Sequence, residues 1–402
     1  MNRPILALNA GSSSIKFALF DAAHSPLPRT ALWGGKITGV TGPTSRCELS
    51  GEAATAVSLS PDDPYHAALQ HIRALVQHEL GPRPLAGVVH RVVHGGAKYF
   101  EPTRVNAEVL ADLKGYIPLA PLHQPYALEA MEALLQARPD LPQVACFDTA
   151  FHHTLPVVEQ MMPLPWSAWE RGLRRFGFHG LSYEYQAMAL AERHGDAARG
   201  RTIVAHLGSG ASLCAMQDLK SVATTMGFSA LGGLMMGTRC GSIDPGAVIY
   251  LMQIEKLSLD EVCEMLYHHS GLLGVSGVSS DPRALLPLEA EQPRVRAALD
   301  LYVRRIVREI GALTAALGGL DMLVFTAGIG EHNAELRQRI CSALGFVGVA
   351  LDAQANLGHL ACISATDSRV LVAVEPTNEE WVAVRHAARL LEVRKEVPRP
   401  SP

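Results

Sequence analysis

The 402-residue chain has little excess of charge of either sign. Its 35 Lys and Arg against 39 Asp and Glu leave a formal net charge of −4. Such a chain carries no global field for nucleic acid or an anionic membrane, so any anion it binds is held by a local site. It also lacks paired cysteines. Cys47, Cys146, Cys214, Cys240, Cys263, Cys341 and Cys362 are odd in number and scattered, with no CxxC spacing. That pattern speaks for reduced thiols in a cytoplasmic enzyme and against a disulfide frame or a zinc site. The first apolar run, Pro4–Leu8, stops at Asn9, too soon for a signal peptide. The uncharged stretch Ser221–Thr238 is interrupted by four glycines and several hydroxyls, and reads as loop rather than as a membrane span. The P-loop pattern GxxxxGK[ST], the dinucleotide pattern GxGxxG, the nucleophile elbow GxSxG and the metalloprotease HExxH are all absent. P-loop NTPase, Rossmann dehydrogenase, α/β-hydrolase and zinc protease therefore lose ground.

What is present is a core-forming composition, 48% hydrophobic and 18% charged, and an alternation of short β-rich runs with longer helical ones, which points to an α/β protein. Pro4–Leu8 and Ile15–Phe20 read as strands around Gly11-Ser12-Ser13-Ser14. Ser60, followed by Pro61, Asp62 and Asp63, has the features of a helix start. Leu69, Ile72, Leu75, Val76 and Leu80 form the stripe behind it, and Gly81-Pro82 stops it. Leu85–Val89 and Val144–Phe147 read as strands, and Leu128, Met131, Leu134 and Leu135 as a helix face ended by Pro139. Ser258-x-x-Glu261 is a capping box. Arg294–Leu317 reads as a long helix closed by Gly318-Gly319, and Glu380–Lys395 as a C-terminal helix before a Pro-rich tail. Thr202–Met216 repeats the strand, small-residue turn, strand pattern of Ile5–Phe20 about half a chain later. This hint of duplication suggests two related lobes facing each other across a cleft, with no low-complexity linker at the boundary.

Several segments carry chemistry. In Asn9-Ala10-Gly11-Ser12-Ser13-Ser14-Ile15-Lys16, small residues let backbone amides and hydroxyls approach a phosphate, and Lys16 adds a cation inside an otherwise apolar strand. His206-Leu207-Gly208-Ser209-Gly210-Ala211-Ser212 and Phe325-Thr326-Ala327-Gly328-Ile329-Gly330-Glu331 are further Gly-rich turns after β-rich runs. In His90-Arg91-Val92-Val93-His94-Gly95-Gly96, an arginine at a strand end beside glycines suits a carboxylate or phosphate clamp. Phe147-Asp148-Thr149 puts a carboxylate after another apolar run. Arg174-Arg175-Phe176-Gly177-Phe178-His179-Gly180 and Met235-Met236-Gly237-Thr238-Arg239-Cys240-Gly241 set basic residues among glycines and apolar side chains. The pairs His152-His153 and His268-His269 lack a companion ligand at useful spacing and read as structural.

Taken together in order and spacing, these segments resemble the acetokinase family. The match includes residues 9–16, 90–96, Ala120-Pro121-Leu122-His123, 147–152, 176–180, 233–239, 326–331 and Thr377-Asn378-Glu379-Glu380, and so runs almost end to end. The resemblance implies two duplicated ribonuclease-H-like lobes of the acetate-and-sugar-kinase and actin superfamily. The first lobe would hold residues 1–150 with 377–402 and the second residues 151–376, with dimerisation through the second. It further implies a cytoplasmic homodimer, dependence on Mg²⁺ or Mn²⁺, and reversible in-line phosphoryl transfer between ATP and acetate to give ADP and acetyl phosphate. A kinase for propionate or another short-chain acid is the alternative, and an actin-like ATPase is a rival from another class. No nucleic-acid or membrane partner is implied.

By the same resemblance, Asp148, Arg91, His179 and Arg239 are the catalytic set, and Asn9 and Glu379 lie around the metal. Ser14 and Lys16 lie near the phosphates. The nucleotide would be surrounded by His206, Leu207, Gly208, Ser209 and Gly210, by Asp281, Pro282 and Arg283, and by Ala327, Gly328, Ile329, Gly330 and Glu331. Arg91 would hold the carboxylate or the phosphoryl group, and Val93, Leu122, Phe178 and Ala230 would enclose the methyl group. The chain departs from the family pattern at several positions. Ser209 stands for a usual Asn and Ala230 for a usual Pro. Pro282 replaces an apolar aromatic and His332 a common Asn, while Leu181 and Tyr183 replace a Thr and a His.

Overall fold

A computed structural model describes residues 3–392 apart from 12 and 122, so Leu122 and the Pro-rich tail lie outside the described residues. The chain divides into two compact units. One runs up to Ala150 and resumes at Asn378, and the other is Phe151–Thr377. Thr377 belongs with the second unit locally, where its N–H donates to Glu331 Oε1 at 3.3 Å.

The first unit is built on one sheet. Its strands are β1 (Pro4–Ala10), β2 (Ser14–Asp21), β3 (Trp33–Thr38), β4 (Ser45–Leu49), β5 (Thr55–Val57), β6 (Gly87–Val92), β7 (Thr103–Arg104) and β8 (Gln143–Phe147), in the spatial order β5-β4-β3-β2-β1-β6-β8-β7. β1 to β5 form an antiparallel meander, whereas β6 joins β1, and β8 joins β6, in parallel. Parallel neighbours need crossovers, and the helices Pro64–Leu80 and Gln124–Ala137 supply them. With both faces covered, β6 and β8 are buried almost throughout, as parallel strands must be.

The second unit repeats the plan. Its strands are β9 (Thr202–Leu207), β10 (Ala211–Gln217), β11 (Lys220–Thr224), β12 (Met322–Thr326) and β13 (Leu371–Val374), in the order β11-β10-β9-β12-β13. β9, β10 and β11 are antiparallel, while β12 and β13 add in parallel. Numbering the five shared strands of each unit in chain order gives 3-2-1-4-5 both times. The two small-residue turns of the sequence are the β1–β2 and β9–β10 hairpins, so the duplication is real, and each unit has the ribonuclease-H-like core.

Most elements fall where patterning puts them. The capping box at Ser258 and Glu261 forms with both of its bonds. The long helix spans Pro293–Leu317 and ends at Gly318 in the left-handed region, φ 71°. The C-terminal helix is Glu379–Leu390. One start is displaced. The helix expected to be capped by Ser60 begins at Pro64, with Asp63 accepting from His66 N at 3.0 Å. A helix capped at Ser60 would need an amide donor at residue 64, and proline has none. The third Gly-rich segment is also not a turn but a short helix, Ala327–His332. Ser221–Thr224 lies in β11, and among the described residues no helix is long and apolar enough to cross a membrane.

Candidate functional site

In the first unit, parallel addition of β6 and β8 brings strand ends from distant segments side by side. Arg91, near the end of β6, is the centre of the cluster. Its Nε and Nη2 donate to Asp148 Oδ1 and Oδ2 at 2.8 and 2.5 Å, the planar two-point geometry that makes Arg–carboxylate pairs strong. Its Nη1 donates to Asn9 Oδ1 at 3.0 Å, from β1. Glu379 Oε2 lies 3.7 Å from Nε. Asp148 follows β8 directly, and its N–H donates to Val92 O at 2.9 Å, which locks the carboxylate against the neighbouring strand end. Burial works against the Arg91 charge, but Asp148 and Glu379 outweigh it and hold the guanidinium above its ordinary pKa.

Glu379 is placed by a cap. Asn378 Oδ1 accepts from Trp381 N at 3.1 Å, and its Nδ2 donates to Arg29 O at 2.8 Å. Glu379 and Glu380 then occupy the first turn, where the helix dipole favours negative charge. Burial foremost pushes Glu379 up to about 7; Arg91 pulls the other way, and Asp148 and Glu380 push further up. Asn9, Asp148 and Glu379 are all oxygen donors, the ligand chemistry of a hard divalent cation. Two buried or partly buried carboxylates with one guanidinium between them leave room for further positive charge, so these residues fit a metal of the Mg²⁺ kind. Lys16 is exposed and sits opposite Asn9 on one side and Lys36 on the other in the strand register. Ser14 opens β2, and its carbonyl accepts from Gly11 N at 2.9 Å. Val93 is buried just past β6.

In the second unit, the β9–β10 hairpin gathers another set. His179 precedes the helix Gly180–His194 with φ 58°, a left-handed conformation uncommon for a residue with a Cβ. Its Nδ1 is 2.8 Å from Ser212 Oγ, and Tyr183 OH is 2.5 Å from the same oxygen. His206, opposite Ser212 in the hairpin, stacks on His179 and meets Ser182 Oγ through Nδ1 at 2.9 Å. Gly208 N donates to Gly210 O at 3.1 Å, which closes a tight loop. A Cβ on Gly210 would stand 3.1 Å from His179 Nε2 and 3.3 Å from Arg239 Nη2. His179, Arg239 and the Gly208–Gly210 backbone are therefore immediate neighbours. Arg239 is steadied by donation from Nη1 to Ala230 O at 2.8 Å.

The remaining expected residues lie as follows. Leu207 ends β9, and Ser209 sits at the tip of the hairpin loop. Glu331 folds back to accept from Ala327 N at 2.8 Å, and Ala327 takes φ 64° to switch from strand to helix. Glu331 thus shapes its loop through Ala327 and Thr377 and is itself largely covered. Gly330 packs close to Ala205 O, while Gly328 opens to space. Asp281 caps the short Pro282–Leu285 helix and pairs with the exposed Arg283 at 2.6 Å, and Pro282 is buried. Phe178 is buried, and its carbonyl faces His152 Nε2 at 2.9 Å. His152 also meets Ser221 Oγ at 2.8 Å, a core contact as expected for a structural histidine. Arg175 spends its Nη1 on the carbonyls of 224–226, and Arg174 lies over the Trp169 ring. Sequence reasoning gave no role to Ser212, Ser182 or Asn378. The pairing of His206 with Ser212 was recoverable from the hairpin, since a two-strand register fixes which side chains stand opposite.

The acetokinase family model matches residues 4–385. An acetate kinase of Rhodopseudomonas palustris is 47% identical over 395 residues, covering 97% of this chain and 99% of that protein. One from Methylocella silvestris is 45% identical, covering 98% and 99%. Among solved structures, the Porphyromonas gingivalis acetate kinase superposes with a TM-score of 0.85 at 34% identity, covering 97% of this chain and all of that one. A propionate kinase from Francisella tularensis gives 0.87 at 33%, covering 96% and 98%. With this agreement in sequence and fold from end to end, the chain belongs to the acetokinase family of phosphotransferases.

Proposed function

We propose that this protein is an acetate kinase: it moves the γ-phosphoryl group of ATP to the carboxylate of acetate, reversibly and with Mg²⁺, giving acetyl phosphate and ADP. The observation that carries the reading is the Arg91 cluster, a guanidinium fixed at a strand end by Asp148 and Asn9 and edged by Glu379. Acetate is ionised at neutral pH, so the reaction needs no strong base. The barrier lies in bringing anions together and holding the transferring oxygens. Arg91, Lys16, His179 and Arg239 would answer it with positive charge and hydrogen bonds. Asp148 keeps the Arg91 fork in one orientation and is not required to take a proton. Mg²⁺ held by Asn9 and Glu379 would neutralise phosphate charge. The Gly208–Gly210 loop, Asp281–Arg283 and Ala327–Glu331 would receive the nucleotide, and Val93, Phe178 and Ala230 the methyl group.

A homodimer fits one further feature. The apolar helix Pro245–Gln253 buries none of its residues, and Ile249 and Tyr250 are 54% and 52% exposed, a surface that a second copy would cover.

A propionate kinase is the second reading, because Ala230 is smaller than the proline usual there and a propionate kinase is among the structural relatives. The test is ADP release in a coupled assay with acetate, with propionate and with neither, paired with trapping of the acyl phosphate by hydroxylamine. Acetate-dependent ADP and hydroxamate are expected. Turnover that ignores the acid would overturn the reading in favour of an ATPase.

A further inference from the structure

We propose that Asp63, His66 and Glu129 form a surface site for Zn²⁺ that ties the start of the Pro64–Leu80 helix to the Gln124–Ala137 helix. One ligand atom from each residue lies within 4.8 Å of the others, the only such group of three His, Cys, Asp or Glu among the described residues. The three come from two segments in a sequence-specific way. Asp63 is the N-cap of the first helix and uses one oxygen, Oδ1, on His66 N. His66 stands in the first turn, where Gln70 Nε2 approaches its Nε2 at 2.8 Å. Glu129 projects from the second helix.

A second observation points into the same place. Tyr65, next to His66, is 5% exposed, yet its hydroxyl has no hydrogen-bond partner. The Glu129 and Tyr126 side chains are its electrostatic neighbours, and the Tyr65 and Tyr126 rings lie 5.0 Å apart. A buried hydroxyl without a partner is costly. A small turn of the Glu129 carboxylate toward the cation would let Tyr65 donate to its other oxygen. Metal ligands are commonly oriented by such an outer hydrogen bond. The same turn would relieve the repulsion between Asp63 and Glu129, which face each other as like charges.

The donor set decides the ion. One imidazole and two carboxylates make a nitrogen–oxygen site with room for water, which suits Zn²⁺ or Co²⁺. Mg²⁺ demands six oxygens and gives up its water reluctantly, so the site is chemically separate from the cation used in phosphoryl transfer. Its effect would be to bridge the two helices and stabilise the first unit.

The test uses the full chain, stripped with chelator and returned to buffer holding excess Mg²⁺. Co²⁺ is titrated while visible absorption is recorded, and Zn²⁺ is titrated by calorimetry. The expected result is one saturable site despite the Mg²⁺, with a rise in the thermal midpoint on Zn²⁺ addition. His66→Ala and Glu129→Gln should each weaken binding at least ~10-fold, and Tyr65→Phe by roughly 10-fold through the lost outer bond. His78→Ala, on the same helix but outside the group, should leave binding intact. Absence of saturable binding would overturn the proposal. So would binding that survives both His66→Ala and Glu129→Gln, or a Co²⁺–thiolate charge-transfer band, which would place the ion on the exposed Cys263 or Cys362.

Discussion

The imidazoles of His179 and His206 lie face to face, with ring centroids 4.1 Å apart and planes 15° apart. Each is tied through Nδ1 to a different serine, Ser212 and Ser182. The tie orients each ring, and at His179 the atom nearest to a Cβ on Gly210 is Nε2. Tyr183 joins this arrangement through Ser212, so it is part of the local hydrogen bonding.

Removing Ser212 should expose this dependence. Ser212→Ala takes a hydrogen bond from both His179 and Tyr183, and a net ~1–1.5 kcal/mol corresponds to about 10-fold in rate. The expectation is a fall in kcat of about 10-fold with the ATP KM little changed, and a smaller fall for Tyr183→Phe. Full activity in Ser212→Ala would show that the tie is not needed to aim His179.

Arg91→Ala and Arg239→Ala should each lower kcat by ~10²–10³ while ATP binding weakens far less, because both cations are proposed to meet charge that grows in the transition state. Steady-state kinetics with a nucleotide-binding measurement separates the two effects. Near-normal turnover in either variant would sink the catalytic assignment.

For Asp148→Asn, severe impairment with an altered Mg²⁺ dependence is expected. The substitution keeps the shape but removes the charge that balances Arg91 across two short hydrogen bonds. If the pH–rate profile loses its acidic limb while the Mg²⁺ dependence is unchanged, Asp148 acts as a general base instead.

Stability should fall on acidification. Burial, the foremost cause at each, holds His90, His94 and His152 down at about 4, against an ordinary value near 6.5. Between those values the unfolded chain takes up protons that the native state refuses, so stability drops as pH falls from about 6.5 towards 4 and levels off below. Each buried histidine adds a slope of about 1.4 kcal/mol per pH unit inside that window. Denaturant titrations at pH 7.5, 6.0 and 5.0 measure it. His152→Asn should flatten the dependence by one proton, and an unchanged slope would mean that His152 is protonated in the native state.

On the proposed reading, acid preference rests on the apolar residues. Val93 is branched and buried, and Val93→Ala should shift the ratio of kcat/KM towards propionate. One methylene in an apolar pocket is worth ~1–3 kcal/mol, or about 10–200-fold, so acetate should lead in the unaltered protein without excluding propionate. An unchanged ratio in the variant would remove Val93 from the pocket.

Local rules accounted for much of the fold. Strands, caps and the two hairpin turns are short-range features, and Ser258 with Glu261 or Gly318 at the end of its helix could be read without knowing any neighbour. The misplaced start at Ser60 was a competition between two prolines, and only the one at residue 64 satisfies the backbone. The Ala327–Glu331 segment failed for another reason. Glycines there suggest a turn, but the Glu331 carboxylate capping the Ala327 amide makes a helix turn instead, and a side chain folding back is invisible to composition.

The sequence by itself determined the class of the fold, the duplication of its hairpins and the types of residue that could handle an anion. Hydrophobic periodicity and turn chemistry act over a few residues and so survive without context. The tertiary structure decided which of those residues act together. Arg91 meets Asn9 across 82 positions and Asp148 across 57, because β6 inserts between β1 and β8 and stacks three strand ends. Register across parallel strands is set by crossover helices packing on both faces of the sheet, and no local signal encodes it. The same holds for the His179–His206 stack, which exists because a helix start and a hairpin meet. Burial followed from that packing. It sets the histidines at 90, 94 and 152 near 4 and raises Glu379 to about 7, since the cost of keeping a charge depends on how much water the fold removes from around it.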